Sequence, residues 1–513
     1  MNANHKRIAP LFWTDLLFAA LIGLSALALY IRTLAPSLLW GDSAEFQTLS
    51  YTLGMTHPSG YMTQIMLGKL FTYIPVGNIA YRVNLMSAFF GALAVAQVYL
   101  IVRILGGWPV AGISACMMLA LSQLFWRRAL IAESYTIAAS MVATMWLLFL
   151  FWRRTQNWVY LFAAGLVGGL SMGIHGMVLM TSISVLIIML MTTRRRADWI
   201  GAAAGALLGF GLTFSFFLYL DHRDPPSSIY NAVYRPSLSA RGLTISDFDT
   251  PLERFFAIFP AEHFWAYYFT ASPEEAGRRL AEYLSFYPVW AVILTLIGIF
   301  VLLKRDWRDG LYPLIAFLTI WGFALTVAFS VYQEFYTPAA IFVYVWFGLG
   351  ASIILEQIFQ KKQAGTRVLQ IVASILLIAL PLLQSHRDLN LAITNGYTTF
   401  VRRDHIYPIF APDKAIRDAK RITNRIEDDA IVFADWDKLY SYIYTAHIEE
   451  GRTGIAFHEA TITDDPSLAQ TTLAYIDANI DVRPIYFTVF MPELTERYQV
   501  QQINNTLYRI HRK

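Results

Sequence analysis

The stretch Gly41-Asp42-Ser43-Ala44-Glu45-Phe46 places two carboxylates in a polar break between apolar runs. It has two readings. Asp42 at a helix start, with Glu45 following, is the pattern of a capping box. A carboxylate facing water above a membrane is also a general base, able to take the proton of an attacking hydroxyl. Both hold together if Asp42 reacts while Ser43 caps, and Glu45 is the second candidate for the base. His57-Pro58-Ser59-Gly60-Tyr61 reads either as a turn before a helix or as an imidazole that donates to a phosphate. Arg127-Arg128 run ahead of Glu133, an acid that suits an ion pair with either arginine and, beside a membrane, is also a functional suspect. The arginines suit interfacial snorkelling as well as anion binding. His175 sits at a helix end, where a satisfied polar residue is the simpler alternative to a ligand. In Tyr332-Gln333-Glu334-Phe335-Tyr336 the bland reading is an aromatic belt. The sharper one has Tyr332, Glu334 and Tyr336, with Glu133, lining a sugar pocket, since aromatic faces and carboxylates suit sugar rings. Asp435-Trp436-Asp437 closes a strand-like run as a ligand-binding edge would, without a glycine-rich phosphate loop. No cofactor is called for. A divalent metal beside the carboxylates stays open, although the His/Asp/Glu spacing does not compel one.

These residues need a scaffold, and composition says which. Among 513 residues 56% are apolar and only 15% charged, where about 25% charged is usual for a soluble protein. Disorder, coiled coil and collagen are excluded, and the lone Cys116 excludes a disulfide framework. The net charge of +4 is too small to argue for nucleic acid. Apolar runs of membrane-spanning length recur at 13–30, 83–102, 108–125, 134–151, 158–174, 177–191, 199–220, 287–303, 311–329, 340–358 and 368–383. They predict about eleven transmembrane helices. One set of alternate loops carries His5-Lys6-Arg7, Arg103, Arg153-Arg154, Arg194-Arg195-Arg196, Lys304-Arg305 and Lys361-Lys362. The positive-inside rule places that set, and the N-terminus, in the cytoplasm. An odd number of spans then puts the C-terminus outside.

The expected fold is therefore mainly α: a polytopic membrane domain over 1–385 and an extracytoplasmic soluble α/β domain over 386–513. Two long outer loops, 31–82 and 221–286, interrupt the membrane part. Within the first, 46–53 and 62–71 read as amphipathic helices lying in the interface. In the tail, helical patterns at 412–426, 436–449 and 467–478 alternate with strand patterns at 430–434, 455–457 and 484–489.

Gly41-Asp42-Ser43-Ala44-Glu45-Phe46, His57-Pro58-Ser59-Gly60-Tyr61 and Tyr81-Arg82-Val83-Asn84-Leu85-Met86-Ser87-Ala88, in that order, resemble the protein O-mannosyltransferase-like family of the GT-C superfamily. The likeness covers roughly the first 180 residues, through Glu133-Ser134-Tyr135 and Gly173-Ile174-His175. The three motifs are specific only as an ordered set. The resemblance implies a GT-C-like membrane domain, a catalytic carboxylate in the first outer loop at Asp42, a polyprenyl-phosphate-linked sugar donor, and a tail over the active site.

The chemistry agrees. Such a donor carries a good leaving group, so the enzyme needs a base for the acceptor hydroxyl and cations or donors for the phosphate. His57, Arg82, Arg127, Arg128 and His175 are the candidates for that second task. One carboxylate opposite the leaving group favours in-line displacement with inversion, unlike hydrolases with their matched carboxylate pair. The expected activity is transfer of mannose or another hexose to a protein Ser/Thr or a glycan at the outer face of a bacterial cell membrane, or of the endoplasmic reticulum in a eukaryote. The expected partners are the lipid-linked sugar, that acceptor and membrane lipids, with no nucleic acid. The competing class is a lipid or sugar transporter or flippase with an accessory outer domain. It calls for interrupted spans or mid-membrane charges in both halves.

Overall fold

The computed structural model describes residues 12–329, 332–360, 366–396, 411–460 and 467–513. His5-Lys6-Arg7 and Lys361-Lys362 lie outside the described residues. Each of the apolar runs coincides with a helix. Seven are long and apolar enough to cross a membrane: Trp13–Thr33, Ile79–Ile104, Tyr135–Thr155, Arg196–Arg223, Trp307–Thr326, Tyr332–Ile358 and Arg367–Gln384. Two more belong to bent pairs, Pro109–Ala120 with Gln123–Ala129 and Pro273–Ser285 with Val289–Arg305. Val159–Ser171 and Gly176–Thr192 are shorter apolar helices.

The chain forms two compact units, neither continuous in sequence. The first comprises Met1–Leu34, Ser87–Thr213 and His263–Phe400. It is a helical assembly packed through small residues. Gly298 and Gly350 sit where Val289–Arg305 meets Tyr336–Gln360, and a Cβ on either would collide with a carbonyl of the facing helix, that of Trp346 or Leu294. Apolar helices in lipid gain little from hydrophobic contact with one another, so close backbone approach of this kind carries their association. Several of the basic residues used to orient the chain are paired, Arg305 with Glu356 at 3.6 Å among them. Arg103 bonds Asp15 at 2.6 Å, and Arg153 reaches Asp306 at 2.8 Å and Asp309 at 3.0 Å.

The second unit comprises Ala35–Met86, Phe214–Glu262 and Val401–Lys513. Its sheet runs β2-β1-β3-β5-β4, with β1 Ile431–Ala434, β2 Ala456–Glu459, β3 Ile485–Phe487, β4 Tyr498–Asn504 and β5 Leu507–Arg512. The first three strands are parallel, Ile431 pairing with both Ala456 and Ile485, and β5 joins β3 antiparallel. Ile431, Phe433, Ile476, Ile485, Phe487 and Ile510 form the core on one side. The expected α/β alternation is present. The β4–β5 hairpin is an addition. Its turn falls in Asn504-Asn505-Thr506, where Asn504 Oδ1 accepts from Thr506 N at 2.8 Å, a local side-chain turn that fixes the reversal.

The tail does not build this unit alone. The helix Trp436–Ile443 packs on the first-loop helix Gly41–Thr52, where the Thr48 hydroxyl bonds the Tyr440 carbonyl at 3.3 Å. Tyr444 Oη accepts the Ala80 N–H at 3.1 Å. The second loop joins through His458 Nδ1, 2.9 Å from the Asn231 carbonyl, and Thr472 on the Pro236 carbonyl at 3.0 Å. This corrects the expectation of an interfacial amphipathic helix at 46–53. Gly41 and every residue from Ser43 to Ser50 are buried, including Glu45, Gln47 and Thr48, so no polar face is left toward water. Glu45, Gln47 and Thr48 serve internal hydrogen bonds instead.

Candidate functional site

The chain enters the Gly41–Thr52 helix through Gly41 at φ +58°, a left-handed conformation that only glycine adopts without strain. The capping position falls on Trp40, whose side chain makes no capping bond. Asp42 therefore lies in the first turn rather than at the cap, where the helix's unpaired N–H groups attract an anion. It is half-buried, and its Oδ1 accepts the indole N–H of Trp436 at 3.0 Å.

One turn further on, Glu45 is fully buried and faces His57 with both oxygens. Oε1 accepts the His57 backbone N–H at 2.7 Å, and Oε2 meets ring Nδ1 in a short contact. Burial pushes the Glu45 carboxyl up, against the opposing pull of His57. The imidazole is wedged among Phe46, Tyr61 and the edge of Trp436, with ring centroids 5.9, 4.9 and 5.7 Å away. A carboxylate on Nδ1 fixes the tautomer, so Nε2 is the nitrogen turned to other work.

The third motif is tied to the first. Gln47 Nε2 donates to Asn84 Oδ1 at 2.8 Å, Gln47 Oε1 accepts Leu39 N–H at 3.0 Å, and Asn84 Nδ2 donates to the Ala35 carbonyl at 3.0 Å. Arg82 closes a loop of its own, donating to the carbonyls of Thr72 at 2.9 Å, Val76 at 2.9 Å and Gly77 at 3.1 Å.

Residues that sequence reading did not connect complete this cluster. Glu459, at the end of β2, is pushed up to about 7 by burial, with Arg241 opposing and Glu45 and Asp435 adding to the effect. Tyr440 Oη is buried with no hydrogen-bond partner among the described residues. Trp436 did carry a signal, its place between Asp435 and Asp437 after a strand. Glu459 carried none, because its surroundings come from segments far apart in sequence.

Among the described residues no group of three or more His, Cys, Asp or Glu side chains is placed to hold a metal ion.

The remaining candidates gather in the first unit. Arg127 donates to Gln333 at 2.8 Å, and Arg128 forms an ion pair with Glu334. Glu133 lies within electrostatic reach of Arg128, and its backbone is held by Ser87. His175 is the N-cap of Gly176–Thr192, accepting Met177 N–H at 3.3 Å, with its ring between Tyr135 and Phe335. Tyr332 and Gln333 both bond Glu282 and line a cavity of about 470 Å³ with Glu275, Arg278 and Arg279. Tyr336 is buried against Tyr283, ring centroids 4.6 Å apart. So the structure sorts the candidates into two clusters: Asp42, Glu45, His57 and Arg82 in one unit, and Arg127, Arg128, Glu133, His175, Tyr332, Glu334 and Tyr336 in the other.

Residues 42–198 match the model of the family described as "Protein O-mannosyl-transferase TMEM260 N-terminal domain". The similarity to that family is confined to this segment, less than a third of the chain. It is 38% identical over 114 residues to mouse protein O-mannosyl-transferase TMEM260, covering 22% of this chain and 16% of that protein. Over 139 residues it is 27% identical to the Dictyostelium discoideum protein of the same name, covering 26% and 17%. The matched part thus spans about a sixth of the length of these relatives. The fold is similar to that of ArnT from Cupriavidus metallidurans bound to undecaprenyl phosphate. The TM-score is 0.54 at 12% identity, covering 96% of this chain and 97% of that one. It is also similar to the Archaeoglobus fulgidus oligosaccharyltransferase, with TM-score 0.55 at 12% identity over 92% of this chain and 68% of that one. These likenesses support the expected fold, a mainly helical chain with several apolar spans and a small sheet in the C-terminal region.

Proposed function

We propose that this protein is a membrane glycosyltransferase that moves mannose, or another hexose, from a polyprenyl-phosphate donor to a hydroxyl of a protein or glycan acceptor at the outer membrane face. The observation that carries the reading is Asp42. It opens the region matched by the O-mannosyl-transferase family and sits half-buried in the first turn of a helix, with one oxygen held by an indole N–H. The undecaprenyl phosphate bound to the structurally similar ArnT supports a lipid-phosphate carrier. An acceptor peptide tethered to the archaeal oligosaccharyltransferase supports a protein acceptor.

In this mechanism Asp42 Oδ2 takes the acceptor hydroxyl's proton as that oxygen attacks the anomeric carbon. The bond from the anomeric carbon to the phosphate oxygen breaks on the opposite side, its electron pair leaving with the lipid phosphate, so configuration inverts. Glu45 acts through His57: its carboxylate takes the Nδ1–H and favours the imidazolium, whose Nε2–H then donates toward the donor phosphate or sugar. Arg127 and Arg128 are proposed as donor-phosphate residues. Glu133, His175, Tyr332, Glu334 and Tyr336 are proposed to shape their surroundings. The N-terminus is proposed to be cytoplasmic and the tail extracytoplasmic, across about eleven spans.

The test is Asp42→Asn in the full chain, assayed by lipid-phosphate release from a panel of polyprenyl-phosphate sugars. Loss of a general base costs about 10²–10⁴-fold in rate, with donor binding retained. A fully active Asp42→Asn protein refutes the assignment.

A further inference from the structure

The contact between Asp42 and Trp436 joins residues 394 positions apart, one from the first loop and one from the tail. Three features mark it as more than packing. The indole N–H points at Oδ1 of the one carboxylate proposed to react, at 3.0 Å. The same ring stands edge-on to His57 at 5.7 Å, so one side chain touches both polar groups of the first-loop motifs. Trp436 itself is anchored from below. It is the first residue of a helix that follows β1 directly, and its ring packs edge-on against Tyr440 at 5.6 Å, whose backbone carbonyl accepts the Thr48 hydroxyl.

We propose that Trp436 is a positioning residue for Asp42, so that the C-terminal domain is a working part of the catalytic site rather than an accessory. This rests on the reading of Asp42 as the base. The physical argument is orientational. A half-buried aspartate has two free torsions and two equivalent oxygens. A neutral donor fixed on Oδ1 holds the carboxylate plane and leaves Oδ2 to meet the acceptor hydroxyl. The donor is tryptophan, which cannot accept a proton in return and so does not compete for the proton that Asp42 must take. Lys or Arg there would form an ion pair and weaken the base. The ring also keeps His57 on its Glu45 partner. A base held in one orientation acts on bound substrate, so its loss is felt in kcat more than in donor KM.

The experiment compares wild type, Trp436→Phe and a full-length protein in which residue 436 is the benzothienyl isostere of tryptophan, which has sulfur in place of the N–H. Phe and the isostere keep an aromatic ring, and the isostere keeps the whole ring volume. Both are expected to lower kcat by roughly 10–100-fold, the range for losing a hydrogen bond to a charged group, with donor KM within about twofold of wild type. The indole N–H resonance of ¹⁵N-tryptophan-labelled protein that vanishes in Trp436→Phe should shift in Asp42→Asn. If the isostere turns over at the wild-type rate while Asp42→Asn is dead, Asp42 keeps its role and the positioning proposal is overturned. A resonance unmoved by Asp42→Asn also overturns it. If Asp42→Asn is fully active, it is the base assignment that falls. Should Trp436→Phe lose its melting transition, the isostere decides by the same criteria.

Discussion

Replacing Glu45 by Gln isolates what the buried acid contributes. Glu45 spends one oxygen on the His57 backbone N–H at 2.7 Å and the other on ring Nδ1. A carboxamide has nearly the same shape but only one acceptor. If its oxygen stays on the backbone N–H, its NH₂ faces Nδ1, which must then accept, and the ring proton moves to Nε2. The fold should tolerate this. Removing a charge-assisted hydrogen bond costs about 1.5–3 kcal/mol, but the variant no longer buries a carboxyl whose ionisation the site already opposes. We expect a net stability loss of about 1 kcal/mol. Activity should lose more, because a neutral amide does not favour the imidazolium, and the Nε2–H of a neutral ring is a weaker donor to a phosphate than that of a charged one. The same 1.5–3 kcal/mol, felt in the transition state, is roughly a 10–100-fold fall in kcat/KM. The assay is polyprenyl-phosphate release by the purified full chain, run on Glu45→Gln, His57→Gln and the double variant. If Glu45 acts through His57, the double variant is no slower than the slower single one, within about twofold. Multiplying losses refute the coupling, and an unimpaired Glu45→Gln protein removes Glu45 from the mechanism.

The two arginine readings separate in parallel. Arg82→Gln should lower stability by about 1–3 kcal/mol, through its three carbonyl bonds, with donor KM unchanged. Arg128→Gln should raise donor KM; unchanged lipid-sugar binding would make Arg128 structural. Glu459 sets a pH dependence. Its carboxyl titrates near 4.5 unfolded and about 7 folded, so across that window the folded chain keeps a proton the unfolded chain has lost. Stability should therefore fall as pH rises from about 4.5 to about 7, by up to roughly 3 kcal/mol, and Glu459→Gln should flatten that slope in melting curves. Reporters fused within Arg194-Arg195-Arg196 and after His386 should report opposite sides of the membrane; the same side would break the topology.

Much of the architecture was legible because membrane burial is a one-dimensional code. A helix in lipid must satisfy its backbone internally and present apolar side chains over a fixed length, so the runs at 13–30 through 368–383 coincide with helices. The α/β alternation of the tail was legible for a related reason, since local periodicity sets whether 430–434 or 436–449 is strand or helix. The β4–β5 hairpin was missed because its strands are mostly polar and their pairing is irregular between Gln502 and Asn504, so they carry little periodic signal.

The site was legible as residue types, not as partnerships. Motif order pointed to Asp42, Glu45, His57 and Arg82 because the first loop is polar where its flanks are apolar. Which of them pair was decided by packing. Glu45 grips His57 because the turn at 57–61 folds back onto the Gly41–Thr52 helix, and Arg82 serves the carbonyls of its own loop. Asp42 meets Trp436 because a tail helix after β1 packs on a loop helix nearly 400 residues earlier. Hydropathy and spacing describe neighbours along the chain. A hydrogen bond between distant segments depends on the register in which two helices dock, and that register is the sum of many side-chain contacts that no local pattern records.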